Sequence, residues 1–478
     1  MTRHNLFVSG WKPGPKTKFE NIVTPFDSKV VAEVVTGTIA DAEYAVDQAV
    51  IASAMWRRTP AHQRQEILMA AATIADQRQE DIAQIIAMEN GKSINEARGE
   101  ASRSGEIIRL AAFEGAHLYG SSLPLDANKG TGQEKIGFTL RQPVGVIAAI
   151  APFNYPALLV LHKVAPALAV GNAVVLKPAR TTPLTALALA QCFMDAGLPE
   201  GVLSVITGPG SQLGQSLVTN SKVRKISFTG STAVGESIAR MAGVKKLSLE
   251  LGASSPVIVL ADADIEFAAQ AVTLGGYINA GQVCISVQRV ILHKDIRDEF
   301  LAALMPKVSA ITFGNPLDES NQIGSLISES EAVRVEKSIG EAVSKGAKLL
   351  VGGERDGAFM SPAILANVDP SSSVAQDELF GPAVVVSDAR DDKHAIELAN
   401  STAYGLGAGI FTRDTSKAIH AMREIDAGII HVNWTPLWRA DLMPYGGLKA
   451  SGIGKEGVRT TVHEMAEEKT VIMHGSPW

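Results

Sequence analysis

The chain has 478 residues, 46% hydrophobic and 20% charged, with a formal net charge of −6. That length supplies roughly two to four domains' worth of core in an ordinary soluble globular balance. The small negative charge gives no reason to expect nucleic acid or an anionic membrane as partner, and with two cysteines no disulfide framework is possible.

Met1–Gly10 holds too short an apolar run for a signal peptide, which together with the scarcity of cysteine predicts a reducing cytoplasm. Residues 40–120 read as helices. Thr59-Pro60 is a start signal with proline at the first helical position, Gly91 is a stop, and Ser93-Ile94-Asn95-Glu96 has capping-box spacing. Arg103 and Arg109 are six apart, about 240° around a helix, so they cannot both face one pocket. Gly120–Lys135 is polar and interrupts the first domain. Val144–Ile150, Ala173–Leu176, Leu203–Ile206, Lys225–Phe228 and Val257–Leu260 are strand candidates, most of them separated by helical segments. That alternation predicts α/β architecture, a doubly wound parallel sheet with crossover helices. The most apolar stretch, Ala157–Leu176, is broken by His162, Lys163, Pro166 and Asn172, so it does not read as a membrane span. A second strand–helix series from Val290 to Phe411 implies a second α/β domain. The strand-like Thr470–Met473 and the polar interruption together look like an arm that packs elsewhere.

Cys192 lies in the apolar helical stretch Leu187–Met194 and reads as a core thiol. Cys284 instead follows the loop-like Asn279-Ala280-Gly281, and an accessible loop thiol is a candidate nucleophile. Leu249-Glu250-Leu251-Gly252 sets one carboxylate among apolar residues, where desolvation raises its pKa toward the range of a general base. Pro152-Phe153-Asn154 ends a strand, and the Asn154 amide suits an oxyanion hole or a turn. Phe228-Thr229-Gly230-Ser231 opens a helix whose free N–H groups suit a pyrophosphate, although the spacing is not G-x-G-x-x-G. Gly208–Gly214 lacks the Lys-Ser/Thr ending of a P-loop. Lys177-Pro178-Ala179-Arg180 puts two cations at a strand's carboxyl end, suited to ribose hydroxyls or a phosphate.

In order, Pro152-Phe153-Asn154, Lys177-Pro178, Phe228–Ser231, Glu250-Leu251-Gly252, Gly281–Cys284, Glu378–Pro382 and Pro444–Gly452 resemble the aldehyde dehydrogenase superfamily over essentially the whole chain. The resemblance implies a Rossmann-like cofactor domain (1–121 and 143–252), a catalytic domain (253–459), and an arm (122–142 and 460–478) that builds a homodimer or homotetramer. It implies Cys284 as nucleophile, Asn154 with the Cys284 N–H as oxyanion donors, and Glu250 as the base that hydrolyses a thioester, with Lys177 beside them. It also implies that Lys177 and Glu378 bind the cofactor riboses, Phe380 packs near the nicotinamide, and Ser231 lies near the pyrophosphate. Pro152, Phe153, Gly230, Gly235 and Leu251 complete that cleft, and no metal takes part. Three departures stand out: Phe153 where many relatives have Trp, Ala253 where a second Gly is common, and Arg180 where NAD-preferring relatives carry Glu. The last predicts that NADP is accepted alongside NAD. The segments around Cys284 and Pro444 look most like the branch oxidising lactaldehyde, glyceraldehyde 3-phosphate and succinate semialdehyde, with His162, Trp434, Trp438 and Arg439 as candidate pocket walls. Two indoles would instead favour an aromatic or bulkier aldehyde, whereas Arg439 would grip an anionic tail. A CoA-acylating relative is disfavoured by Glu250, and a non-enzymatic relative by the presence of both Cys284 and Glu250.

Overall fold

The computed structural model describes residues 2–475; Met1 and the last three residues of the expected arm lie outside the described residues. It opens with a three-stranded sheet of Thr2–His4, Val30–Val35 and Phe19–Val23, which the sequence did not announce because the strands are short and Thr2–His4 is polar throughout. Helices Ile39–Trp56 through Ser104–Ala116 come next. Ala61–Gln77 begins one residue later than expected. Pro60 has ψ 145, an extended value that places it before the helix, where its carbonyl still accepts from Gln63 and Arg64. Gly91 ends Gln79–Asn90 with φ 82, a left-handed cap that glycine adopts without strain.

The strand expected over Val144–Ile150 begins two residues later, at Val146, because Gly145 with φ 127 breaks it from the preceding strand Lys135–Pro143. Val146–Ile150 starts a six-stranded sheet ordered Gly452–Ile453, Lys246–Glu250, Val223–Thr229, Val146–Ile150, Ala173–Lys177, Leu203–Val205. Its strands pair in parallel except at the Gly452–Ile453 edge. Val146–Ile150 is buried throughout, as a sheet covered on both faces requires. Ile147 and Ala149 join one core with Trp56 and the helix Leu158–Val170, while Val146, Ala148 and Ile150 join the other with Leu213 and Ile238. Each fully buried Val, Leu or Ile contributes about 1.5–3 kcal/mol.

Chain order in this sheet reverses between Val146–Ile150 and Val223–Thr229, and an open α/β sheet binds its ligand outside the carboxyl ends at such a switch point. The segments leaving those two ends are Pro152-Phe153-Asn154 and Gly230-Ser231. A seven-stranded sheet, parallel except at Lys348–Val351, runs from Pro256–Val259 to Ile429–Val432. Glu250 ends a strand of the first sheet and Pro256 begins one of the second, so carboxyl ends of one face amino ends of the other across a short link. Among the described residues no helix is long and apolar enough to cross a membrane.

The polar interruption and the C-terminus meet in a further, three-stranded sheet. Lys135–Pro143 pairs antiparallel with Ala466–His474 along its whole length and with Ser122–Leu123 on its other side.

Cys284 comes after a backbone feature that composition does not reveal. Asn279, Ala280 and Gly281 are all left-handed, with φ of 50, 52 and 72. A Cβ on Gly281 would collide with the carbonyl of Gly381. Gly281→Ala should therefore cost about 1–3 kcal/mol or more of stability, read as a lowered urea midpoint. An unchanged midpoint would show that the turn relaxes at no cost.

Candidate active site

Between the two sheets lies a cavity of about 1020 Å³ lined by Pro152, Phe153, Asn154, Lys177, Gly230, Ser231, Leu251, Cys284, Glu378 and Phe380 among others. That volume is at the upper end for small-molecule sites. Residues expected in the cofactor cleft and the expected nucleophile thus share one space. One end is polar: Ser231 precedes the helix Thr232–Met241 without capping it by its side chain, leaving N–H groups for an anion. Lys177 is buried nearby, its Nζ donating to the Pro178 carbonyl at 2.7 Å. Burial lowers Lys177 to about 8, with Glu20 acting upward and Arg180 downward. The other end is aromatic. Phe380 has φ 52, and its ring meets that of Phe153 edge-on at 5.9 Å. Glu378 accepts from the Ala253 N–H at 3.2 Å, and burial raises it to about 7 against that bond. An uncapped helix terminus, a cation, a carboxylate and a flat aromatic floor fit a dinucleotide.

Around Cys284 the groups are tied together. Asn154 Nδ2 donates to the Gln282 carbonyl at 2.8 Å, and Asn279 Nδ2 donates to the Asn154 carbonyl at 3.1 Å. Lys92 Nζ donates to that same carbonyl at 2.9 Å and pairs with the buried Glu100, whose other oxygen caps the helix Leu158–Val170 at Ala157 and Leu158. Asn154 keeps its second N–H for a ligand, and the Cys284 N–H has no hydrogen-bond partner among the described residues. The thiol is pushed up to about 12, mainly by burial.

Behind the thiol sits a buried charge cluster. Lys163 pairs with Glu456 and donates to Thr229 Oγ1 at 2.6 Å, and Arg439 Nη2 is 3.8 Å from Glu456. Burial alone would raise Glu456, yet Lys163 and Arg439 hold it below its ordinary value. Glu250 is 2% exposed, has no hydrogen bond on either oxygen, and is held well above its ordinary value by burial and then by Glu456. Its Oε1 is directed at Gly446, where an added Cβ would lie 2.6 Å away. Glu250 therefore stands behind the cavity wall as a carboxylic acid.

Several expected residues lie elsewhere. Gly235 is absent from the wall; Leu251 fills the space where its Cβ would be, so its smallness serves packing. Arg180 is 61% exposed and bound by Glu20, with Nη2 at 2.7 Å. His162 is buried with Nε2 3.2 Å from Asp441, which also binds Arg103. Burial, then Arg439, lowers it to about 4, so it is neutral near pH 7. Trp434 meets Phe267 at a 46° tilt, 5.5 Å between ring centroids, beside the second sheet's core, and Trp438 is 56% exposed against His431. Neither indole lines the cavity. Arg439 lies over the ring of Tyr445, 4.0 Å from its centroid. Arg109 turns away to Asp76 and Glu106, as the helical spacing required. Lys163, Tyr445 and Glu456 escaped the sequence reading. Lys163 carried a usable signal, a cation inside the most apolar stretch, that argued only against a membrane span.

The aldehyde dehydrogenase family model matches residues 11–471. A 3-sulfolactaldehyde dehydrogenase of Priestia aryabhattai is 43% identical over 99% of this chain and 98% of its own. A lactaldehyde dehydrogenase of Methanococcus vannielii is 38% identical over 95% and 97%. The crystal structure of the glyceraldehyde-3-phosphate dehydrogenase GapN of Methanocaldococcus jannaschii complexed with NADP superposes with a TM-score of 0.92 at 38% identity, covering 96% of this chain and 100% of that one. The expected fold and the expected class of chemistry both hold: this chain belongs to the aldehyde dehydrogenase family and is an NAD(P)-dependent oxidoreductase.

Proposed function

We propose that the protein oxidises a small functionalised aldehyde to its acid by covalent catalysis at Cys284. The observation that carries this reading is a thiol at the end of a dinucleotide-sized cavity, beside the Asn154 amide and its own free N–H. Sulfur attacks the aldehyde carbon, the carbonyl π pair moves to oxygen, and Asn154 with the Cys284 N–H holds that oxyanion. Bound nicotinamide supplies the hydride acceptor. Cys284 is then left as a thioester, and Glu250, moved from behind Gly446 and deprotonated, takes a proton from the attacking water. A carboxylate in that role favours hydrolysis over transfer to CoA. Domain limits at 1–121 with 143–252 and at 253–459, with the arm as an interface, agree with this division of labour.

For the substrate, the buried guanidinium of Arg439, whose Nε has no hydrogen-bond partner among the described residues, supports a short aldehyde with an anionic or hydroxylated tail. The sulfolactaldehyde and lactaldehyde relatives support the same class, and the placement of both indoles away from the cavity removes the support for aromatic aldehydes. The arm's edge strand Ala466–His474, with Ile472 and Met473 exposed, supports a homodimer or homotetramer. The cysteine count supports a reducing cytoplasm.

With purified enzyme and either cofactor, 3-sulfolactaldehyde, lactaldehyde, glyceraldehyde 3-phosphate or succinate semialdehyde should exceed benzaldehyde in kcat/KM by at least about tenfold, roughly 1.4 kcal/mol. Cys284→Ala should abolish turnover and keep cofactor binding. Turnover at the wild-type rate in that variant, or a preference for benzaldehyde, contradicts the reading.

Glu250→Gln keeps the shape but cannot accept a proton. It should release one burst of reduced cofactor and stall with an acyl group on Cys284, visible by mass spectrometry. Steady turnover without the adduct removes Glu250 from deacylation.

Use of NADP at least alongside NAD is supported by Arg180, yet Glu20 already occupies its guanidinium through Nε at 2.8 Å and Nη2 at 2.7 Å. A 2′-phosphate must displace that carboxylate. Glu20→Gln should raise the NADP-to-NAD ratio of kcat/KM about tenfold, and Arg180→Glu should lower it at least as much, given about 1.5–3 kcal/mol for a charge-assisted bond. A ratio unmoved in both variants shows that neither side chain reads the phosphate.

A further inference from the structure

Tyr445 touches the reacting atom. Its Oη lies 2.9 Å from Cys284 Sγ, and its ring is 3% exposed in an apolar cluster with Ala253, Val283 and Ile285. Backbone pairing fixes it from both sides: the Tyr445 N–H donates to the Glu456 carbonyl at 2.9 Å, and the Glu456 N–H donates back. Glu456 is itself held by Lys163. The Arg439 guanidinium covers the ring face at 4.0 Å, close enough for a cation–π contact.

We propose that the Tyr445 hydroxyl donates a hydrogen bond to the Cys284 sulfur and thereby sets both the acidity and the aim of the nucleophile, with Arg439 strengthening the donor through the ring. The direction of donation comes from the two groups. A thiolate is an acceptor only, and burial holds the phenol well above its ordinary value, so its proton stays on oxygen. Burial raises the thiol most; the Tyr445 contact opposes that, Glu378 and Glu250 add to the rise, and Arg439 opposes it. Tyr155 packs against the same apolar cluster as Cys284 and is likewise pushed up by burial. On ionisation the S–H pair stays on sulfur, the proton leaves to water in the cavity, and Tyr445 keeps its O–H. When the sulfur lone pair forms the S–C bond, the sulfur becomes a poorer acceptor and the Tyr445 bond weakens. Lowering the thiol pKa by about one unit gives roughly tenfold more thiolate and, at a Brønsted slope of about 0.4–0.5, roughly threefold less intrinsic nucleophilicity. The net gain is about threefold per unit.

The test is the pH dependence of Cys284 alkylation by iodoacetamide in the full-length protein. Labelling is counted on the Cys284 peptide by mass spectrometry, so that Cys192 does not contribute. Tyr445→Phe keeps the ring and its contact with Arg439 and loses only the hydroxyl. Its alkylation midpoint should rise by about one unit, slowing labelling near pH 7 about threefold. Site-specific 3-fluorotyrosine at 445, a stronger donor on the same frame, should move the midpoint down. A tyrosine that only packs would not shift the midpoint in opposite directions, and an unmoved midpoint in Tyr445→Phe overturns the proposal. Should that variant not fold, the fluorotyrosine protein decides alone: a downward shift supports the proposal and no shift overturns it. The proposal rests on Cys284 being the nucleophile, but the midpoint is read without turnover, so the two assignments fail separately.

Discussion

The site depends on the hydrogen bonds that lace the Cys284 turn to Asn154. These two segments belong to different sheets, and no element of secondary structure joins them directly. Asn154 reaches the Gln282 carbonyl and Asn279 reaches the Asn154 carbonyl, so each amide holds the other segment's backbone. Behind them Lys92 and Glu100, at most 1% exposed, anchor the Asn154 carbonyl and the start of the helix Leu158–Val170. Removing one partner of such a buried pair costs about 3–5 kcal/mol, because the remaining charge stays desolvated. The strained left-handed run at 279–281 persists because this lacing over-determines it. The thiol's position is therefore a property of the junction between sheets.

Burial sets the chemistry of the resting site. It raises the thiol of Cys284 to about 12, the carboxyl of Glu250 well above its ordinary value and that of Glu378 to about 7, so all three hold their protons more tightly than they would in water. Glu456 is the exception, because Lys163 and Arg439 compensate its charge. A charged Glu456 beside a neutral Glu250 makes the latter harder to ionise and couples its protonation to the cluster around Lys163. The low-dielectric interior that suppresses ionisation also strengthens every hydrogen bond aimed at developing charge.

Much of the fold was legible. Alternating apolar strands and helices required a doubly wound sheet, and Gly91 and Ser93 marked real helix boundaries. The break at Gly145 and the N-terminal strands were not legible, because a backbone φ and the pairing of such short strands leave no periodic trace. In the site, Cys284, Asn154 and Lys177 stood out at loop and strand ends, Glu378 and Phe380 came only from the family resemblance, and all five line one cavity. His162, Trp434 and Trp438 also stood out, but Asp441, Phe267 and His431 claim them. Side-chain type announces capacity, whereas a partner distant in sequence decides how that capacity is used.

Arg180 and Tyr445 mark the same boundary. The sequence by itself determined the class of fold and the family, and it marked Cys284, Gly230 and the strand end at Pro152 as candidates for one site, because periodicity and short motifs are local properties of the chain. It held no sign that Glu20, 160 residues away, neutralises Arg180, or that the Tyr445 hydroxyl, 161 residues from Cys284, rests on its sulfur. Only the tertiary structure decided these, since hydrogen bonds, burial and charge compensation act over a few ångströms and the fold alone determines which residues come that close.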